Sequence, residues 1–174
     1  MKCLVFVLGL FVSQAAFGMI VPDDQIIQYA TSRNFFDPRL ALAIARVESS
    51  QNSLARNADH YGMMQIKLGT ARMLGYTGKL KGLFDWRQNL DIALQYLSEK
   101  YEEYASVPQV VAAYNAGKVY ICRTGMSNGT PCARGRFVNQ KYVDDVMRVY
   151  RTLSEQVFTS IPDQRLWLAL QDST

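Results

Sequence analysis

Glu48 is the residue in this chain best placed for acid–base chemistry. It ends the run Asp37-Pro38-Arg39-Leu40-Ala41-Leu42-Ala43-Ile44-Ala45-Arg46-Val47-Glu48, just before Ser49-Ser50 break the pattern. A carboxylate held against apolar neighbours is harder to ionise, so its pKa rises, and a raised value suits a general acid near neutral pH. The run alone leaves open a plainer reading, a glutamate in solvent at a helix end. Two later segments offer polar groups for a shared pocket. Tyr61-Gly62-Met63-Met64-Gln65-Ile66 combines a turn glycine, two thioethers and an amide. Val110-Val111-Ala112-Ala113-Tyr114-Asn115-Ala116-Gly117 ends a small-residue helix with a hydroxyl, an amide and a terminating glycine. Either segment could also be core packing.

Other candidates are weaker. General acids often work with a second carboxylate of different pKa, and nothing pairs convincingly with Glu48. Asp59 is the best second carboxylate, but its neighbours His60 and Tyr61 suggest a polar loop and a structural role. Asp85 and Asp91 read as residues near a helix start, and Asp144 and Asp145 as a solvated face. His60 is the only histidine, and a metal site would want more ligands. No metal and no cofactor is expected.

The elements that must position these groups are helical. Asp37 is a side-chain N-cap and Pro38 sits at the first helical position, where a missing N–H does no harm. The helix that follows is apolar nearly all round, the mark of a buried segment. A first helix should open at Val21-Pro22-Asp23-Asp24 and run to about Arg33, and a short one should span Gly69 to Leu74. Gly75 to Gly82 reads as a loop. From Asp85, Leu90, Leu94, Leu97, Tyr101 and Tyr104 recur at steps of three and four, a core-facing stripe. Ser106 is expected to cap the Tyr114 helix, with Pro108 in its first turn. Gly117 to Phe137 reads as irregular. Asn139 to about Phe158 forms a last amphipathic helix with Tyr142, Val143, Val146, Met147 and Tyr150 inward. No alternating strand pattern, repeat or second domain is evident, so a mainly α single domain is expected.

The 174 residues fit one domain, and 49% hydrophobic with 20% charged residues is ordinary for a globular protein. Met1-Lys2, the apolar run Cys3 to Val12 and small residues through Gly18 have the layout of a secretory signal peptide, giving 1–18 as leader and 19–174 as mature chain. The apolar run is too short to span a membrane. Cys3 leaves with the leader, and the remaining pair, Cys122 and Cys132, points to a disulfide in an oxidising compartment. A periplasmic or secreted location is therefore expected. Loss of Lys2 takes the formal charge from +4 to +3. No basic run with interleaved aromatics suggests nucleic-acid binding. Asn128-Gly129-Thr130 matches a glycosylation sequon but reads as a turn.

Taken in order, E-S-S at Glu48, G-M-M-Q-I at Gly62 and A-A-Y-N-A-G at Ala112 resemble the catalytic domain of the soluble lytic transglycosylases, whose usual form is E-S, G-L-M-Q-I, A-Y-N-A-G. The resemblance covers about Ile26 to Tyr150 and implies a lysozyme-like fold acting on peptidoglycan glycan strands. It implies that Glu48 is the acid/base, that Met64 and Gln65 contact the sugar beside the scissile bond, that Tyr114 supplies the hydroxyl orienting Glu48, and that Asn115 fixes the turn behind it. Ser49 should brace the helix end. Two departures stand out. Where many members carry a serine near the substrate acetamido group, only Asn57 is placed to make a similar hydrogen bond. Where many carry E-T-R-x-Y-V, this chain has Val138-Asn139-Gln140-Lys141-Tyr142-Val143, with valine in place of the acidic cleft residue. The expected cleft lies between Glu48, Met64-Gln65 and the Tyr114 turn, with the Cys122 to Cys132 loop as a wall. Two alternatives remain: a hydrolytic lysozyme using Asp59 or a positioned water, and an accessory wall-remodelling protein of a secretion or pilus machine, docking through the apolar tail Leu166, Trp167, Leu168, Ala169 and Leu170.

Overall fold

A computed structural model describes residues 19–127 and 130–160. The leader and the apolar tail lie outside the described residues. At the centre is α2 (Pro38–Ser49), in which every residue from Leu40 to Ala45 is buried. As the capping pattern predicts, the Asp37 carboxylate accepts from the Leu40 backbone N–H at 3.4 Å. The same carboxylate accepts the Tyr150 hydroxyl at 2.7 Å and the Tyr101 hydroxyl at 3.3 Å. Burial, with the Asp37 hydrogen bond adding to it, pushes the Tyr150 hydroxyl up to about 12, so it remains a donor. One aspartate thus starts the central helix and ties two others to it. Asp37→Ala is expected to cost about 2 kcal/mol, since the cap is lost and two hydroxyls lose their acceptor. Asp37→Asn should cost less, and urea titration of both variants checks the order.

Around α2 pack α1 (Asp23–Ser32) and α6 (Gln140–Ser160), while α4 (Trp86–Glu103) and α5 (Val107–Ala116) pack on each other and close the remaining side. Asp23 and Asp24 lie in the first turn of α1, favoured by the helix dipole. Asp23 also pairs with Arg46 of α2, so the charge that interrupts the apolar helix is neutralised at its edge. Asp85 caps α4 by accepting from the Arg87 and Gln88 N–H groups at 2.9 and 3.3 Å, and Leu90, Leu94 and Leu97 are buried. α5 lacks the expected side-chain cap: the Ser106 hydroxyl bonds the Gln109 side chain at 3.0 Å, and the first N–H groups turn to the Ser106 carbonyl.

Between α2 and α3 (Leu68–Met73) the chain makes three antiparallel two-residue strands, β1 (Arg56–Asn57), β2 (His60–Tyr61) and β3 (Ile66–Lys67). A second small pairing, β4 (Met126–Ser127) with β5 (Thr130–Pro131), lies within the loop closed by the Cys122–Cys132 disulfide. These short strands add to the helices read from the sequence, and β4 and β5 fall in the 117–137 segment that reads as irregular. Two residues cannot display an alternating pattern, so periodicity is blind to them. A 3-10 turn, Leu80–Phe84, occupies the end of the glycine-rich stretch. The result is a mainly α, lysozyme-like domain with a small β ribbon beside its central helix.

Candidate active site

Glu48 lies in the last turn of α2, half-buried, where the helix meets the β ribbon. The helix stops at Ser50, which adopts the left-handed conformation (φ 53°). Ser49 braces this end, its hydroxyl donating to the Met63 carbonyl at 2.7 Å. Desolvation by the surrounding core raises the Glu48 pKa above the ordinary glutamate range, and a hydrogen bond from the Tyr142 hydroxyl to Oε1, at 2.7 Å, pulls partly the other way. The carboxyl group is therefore biased toward its protonated form and held in one orientation.

The orienting hydroxyl is the main correction to the sequence reading. Tyr114 is buried, and its hydroxyl donates to the Met64 carbonyl at 2.8 Å, while Tyr142 on α6 reaches Glu48. Burial, reinforced by the nearby Glu48 charge, pushes both tyrosines well above their usual value, so both stay protonated donors. The sequence reading had Tyr142 facing inward on the last helix and did not connect it to Glu48. The available signal was its place as the tyrosine of the Val138–Val143 segment.

Met64 is also placed differently from expectation. Its side chain is 0% exposed, so it offers no surface to a sugar. Its backbone instead anchors the segment: the N–H donates to Asn89 Oδ1 at 2.7 Å and the carbonyl takes the Tyr114 hydroxyl. Asn89, fully buried on α4, also donates to the Tyr61 carbonyl at 2.9 Å, clamping both ends of the turn. Gln65 follows with φ 50° and lines the cleft. Its amide nitrogen is spent on the Gly62 and Ala55 carbonyls at 2.8 and 3.4 Å, leaving the amide oxygen as the acceptor it can offer.

A cleft of about 290 Å³ joins Glu48, Gln65, Tyr114 and Asn115. Asn115 accepts from Asn139 Nδ2 at 2.9 Å, and Asn139 also donates to the Ala112 carbonyl at 3.0 Å, which ties the end of α5 to the start of α6. The lining also includes His60, Lys67, Thr70 and Tyr96, none of which the sequence reading placed there. Asn57 is exposed on β1 and is not among the lining residues, so the structure does not bring it to the site. Nor do the described residues of the disulfide loop line the cleft, where the described lining ends at Gly117. Asp59 stands outside the cleft lining, its carboxylate held below the usual range mainly by the hydrogen bond from Lys67. Among the described residues no group of histidine, cysteine and carboxylate side chains could hold a metal ion.

A lysozyme-like domain with one half-buried glutamate at its cleft defines a class of glycan-cleaving proteins. Within that class, residues 25–133 match the family model for the Transglycosylase SLT domain, and the chain belongs to that family. It is a lytic-transglycosylase-type enzyme of peptidoglycan. A comparison with curated proteins finds no match. Tyr142 lies beyond the matched segment, on α6.

Proposed function

We infer that this protein cleaves the β-1,4 bond between N-acetylmuramic acid and N-acetylglucosamine without consuming water, with Glu48 as the one acid/base. The observation that carries this reading is that Glu48 is the only carboxylate among the described residues lining the cleft. Double-displacement and inverting hydrolysis both need two carboxylates, whereas a substrate-assisted route needs one. In that route Glu48 gives its proton to the glycosidic oxygen as the C1–O bond breaks. The substrate acetamido oxygen stabilises the positive charge at C1. Glu48, now a carboxylate, takes the proton from the 6-hydroxyl as the O6–C1 bond closes a 1,6-anhydro ring. In this reading Gln65 and Asn115, which line the cleft, bind the sugar, and Tyr142 positions Glu48 in both steps.

Tyr142→Phe tests that positioning. Turnover is expected to fall roughly tenfold to a hundredfold, as for other misplaced catalytic groups. The lost hydrogen bond favoured the carboxylate, so its removal raises the Glu48 pKa further and moves the alkaline limb of the pH–rate profile to higher pH. A profile of fragment release against pH checks both effects.

Export is the setting this reading requires. The Cys122–Cys132 disulfide fits an oxidising compartment, and the leader-like layout of the sequence over 1–18 fits a periplasmic or secreted location. No helix among the described residues is long and apolar enough to cross a membrane. The reading as a whole is tested by incubating the full mature chain with purified peptidoglycan. Soluble fragments should appear without a matching rise in reducing ends. A stoichiometric rise would indicate hydrolysis, and binding without release would indicate the accessory role.

A further inference from the structure

The mechanism above leaves Lys67 without a task. Its Cα pairs with that of His60 across β2 and β3, so the two side chains leave the ribbon on the same face, and both line the cleft that holds Glu48. Asp59 stands behind them, with Oδ2 3.3 Å from Lys67 Nζ and Oδ1 3.1 Å from His60 Nδ1. The Lys67 side chain is 49% exposed and that of Asp59 64%. An ion pair so exposed is weak and screened by water, and an ammonium with three donors can take a second anion beside the first. Among the described residues lining the cleft, Lys67 is the only lysine or arginine.

Neutral sugar rings offer an ammonium hydroxyl and amide acceptors but no counter-charge. Peptidoglycan differs from neutral glycans at one place within reach of such a cleft: the 3-O-lactyl branch of each muramic residue. It ends in a free carboxylate, or in an amide to a peptide that carries carboxylates of its own. We propose that Lys67, only weakly held by Asp59, binds a carboxylate on the lactyl or peptide branch of a muramic residue and so selects acid-bearing strands over neutral ones. This rests on the peptidoglycan reading of the same cleft.

The test uses peptide-bearing and peptide-free glycan strands, each as the free acid and with its carboxylates amidated. The readout is the ratio of kcat/KM on the acid form to that on its amidated partner. The wild-type protein should favour the acid form roughly three- to tenfold, the range of a single charge-assisted contact in a wet site. A preference confined to peptide-free strands identifies the lactyl carboxylate, and one confined to peptide-bearing strands identifies the peptide. Lys67→Met should bring the ratio to about one, Lys67→Arg should retain it, and Asp59→Asn should raise it by removing the competing anion. A wild-type ratio near one on both strand types, a wild-type ratio kept by Lys67→Met, or a lowered ratio in Asp59→Asn would overturn the inference while leaving the cleavage reading intact. No turnover of any strand by the wild-type protein would overturn the cleavage reading and this inference with it.

Discussion

Glu48→Gln is expected to fold as the wild-type protein does and to release fragments from peptidoglycan at least about a thousandfold more slowly. General acid–base assistance contributes typically about a hundred- to ten-thousandfold for one proton transfer, and here the same carboxyl group serves two. Glutamine keeps the size of the side chain and an oxygen to accept the Tyr142 hydroxyl, so the cleft should be preserved. Stability moves the opposite way from activity. Because burial raises the folded-state pKa of Glu48, its contribution is present in full below the ordinary glutamate pKa and is lost as pH rises through the folded value. At neutral pH the wild-type protein therefore carries the cost of ionising a desolvated carboxyl, and glutamine does not. The variant should melt at a higher temperature than wild type at pH 7, with the difference fading as the pH approaches 4. Paired melting curves at the two pH values, with fragment release measured in parallel, check the activity and the sign.

Gly62→Ala should be the most damaging single methyl in the described structure. Gly62 has φ +74°, a conformation alanine strains to adopt, and an added Cβ would lie 2.2 Å from the Leu83 carbonyl oxygen and 2.6 Å from Asn89 Nδ2. The first obstacle is backbone, which a side-chain rotation cannot move, and the second is the buried amide that clamps Tyr61 and Met64, which cannot yield without breaking hydrogen bonds. A loss of about 3–5 kcal/mol is expected, the range of severe core and backbone disruptions. Because Gln65 and the Tyr114 acceptor sit on the same turn, residual folded protein should also have reduced activity. Gly69→Ala is the control: it lies in α3 with nothing within 4 Å of an added Cβ, and should be neutral or slightly stabilising. Chemical denaturation of the two variants side by side separates a general alanine effect from the Gly62 clash.

What could be read from the sequence was set by how local each determinant is. The Asp37 cap, Pro38 and the unbroken apolar run of α2 act within one or two turns, and the helix formed where they predict, as did α4 behind Asp85. The disulfide followed from the two cysteines that lie outside the expected leader. The β ribbon escaped because its strands are two residues long and are stabilised by the Asn89 clamp and the Gly62 turn rather than by any repeating pattern. The side-chain roles within the three matched segments were harder still. A short matched segment assigns a position but not the direction its side chain takes: the turn through Gly62 and Gln65, both at positive φ, buries Met64 and leaves Gln65 on the cleft. The Tyr142 contact with Glu48 spans 94 residues and exists only because α6 packs along α2. Tyr114, nearer to the segment it serves, was the more visible tyrosine, yet its hydroxyl supports Met64. Lys67 drew no notice, and His60 was weighed only as a metal ligand, because their shared face exists only after β2 and β3 pair.

The claim on which the account turns is that one glutamate closes a ring in place of admitting water. The most direct test is the mass of the terminal muramic residue in fragments released from purified peptidoglycan by the wild-type protein and by Glu48→Gln. The account predicts 1,6-anhydromuramic ends, one water lighter than the reducing form, from the wild-type protein and none from the variant. Reducing muramic ends from the wild-type protein, likewise lost in the variant, would contradict it: Glu48 would remain the acid, but the enzyme would be a hydrolase.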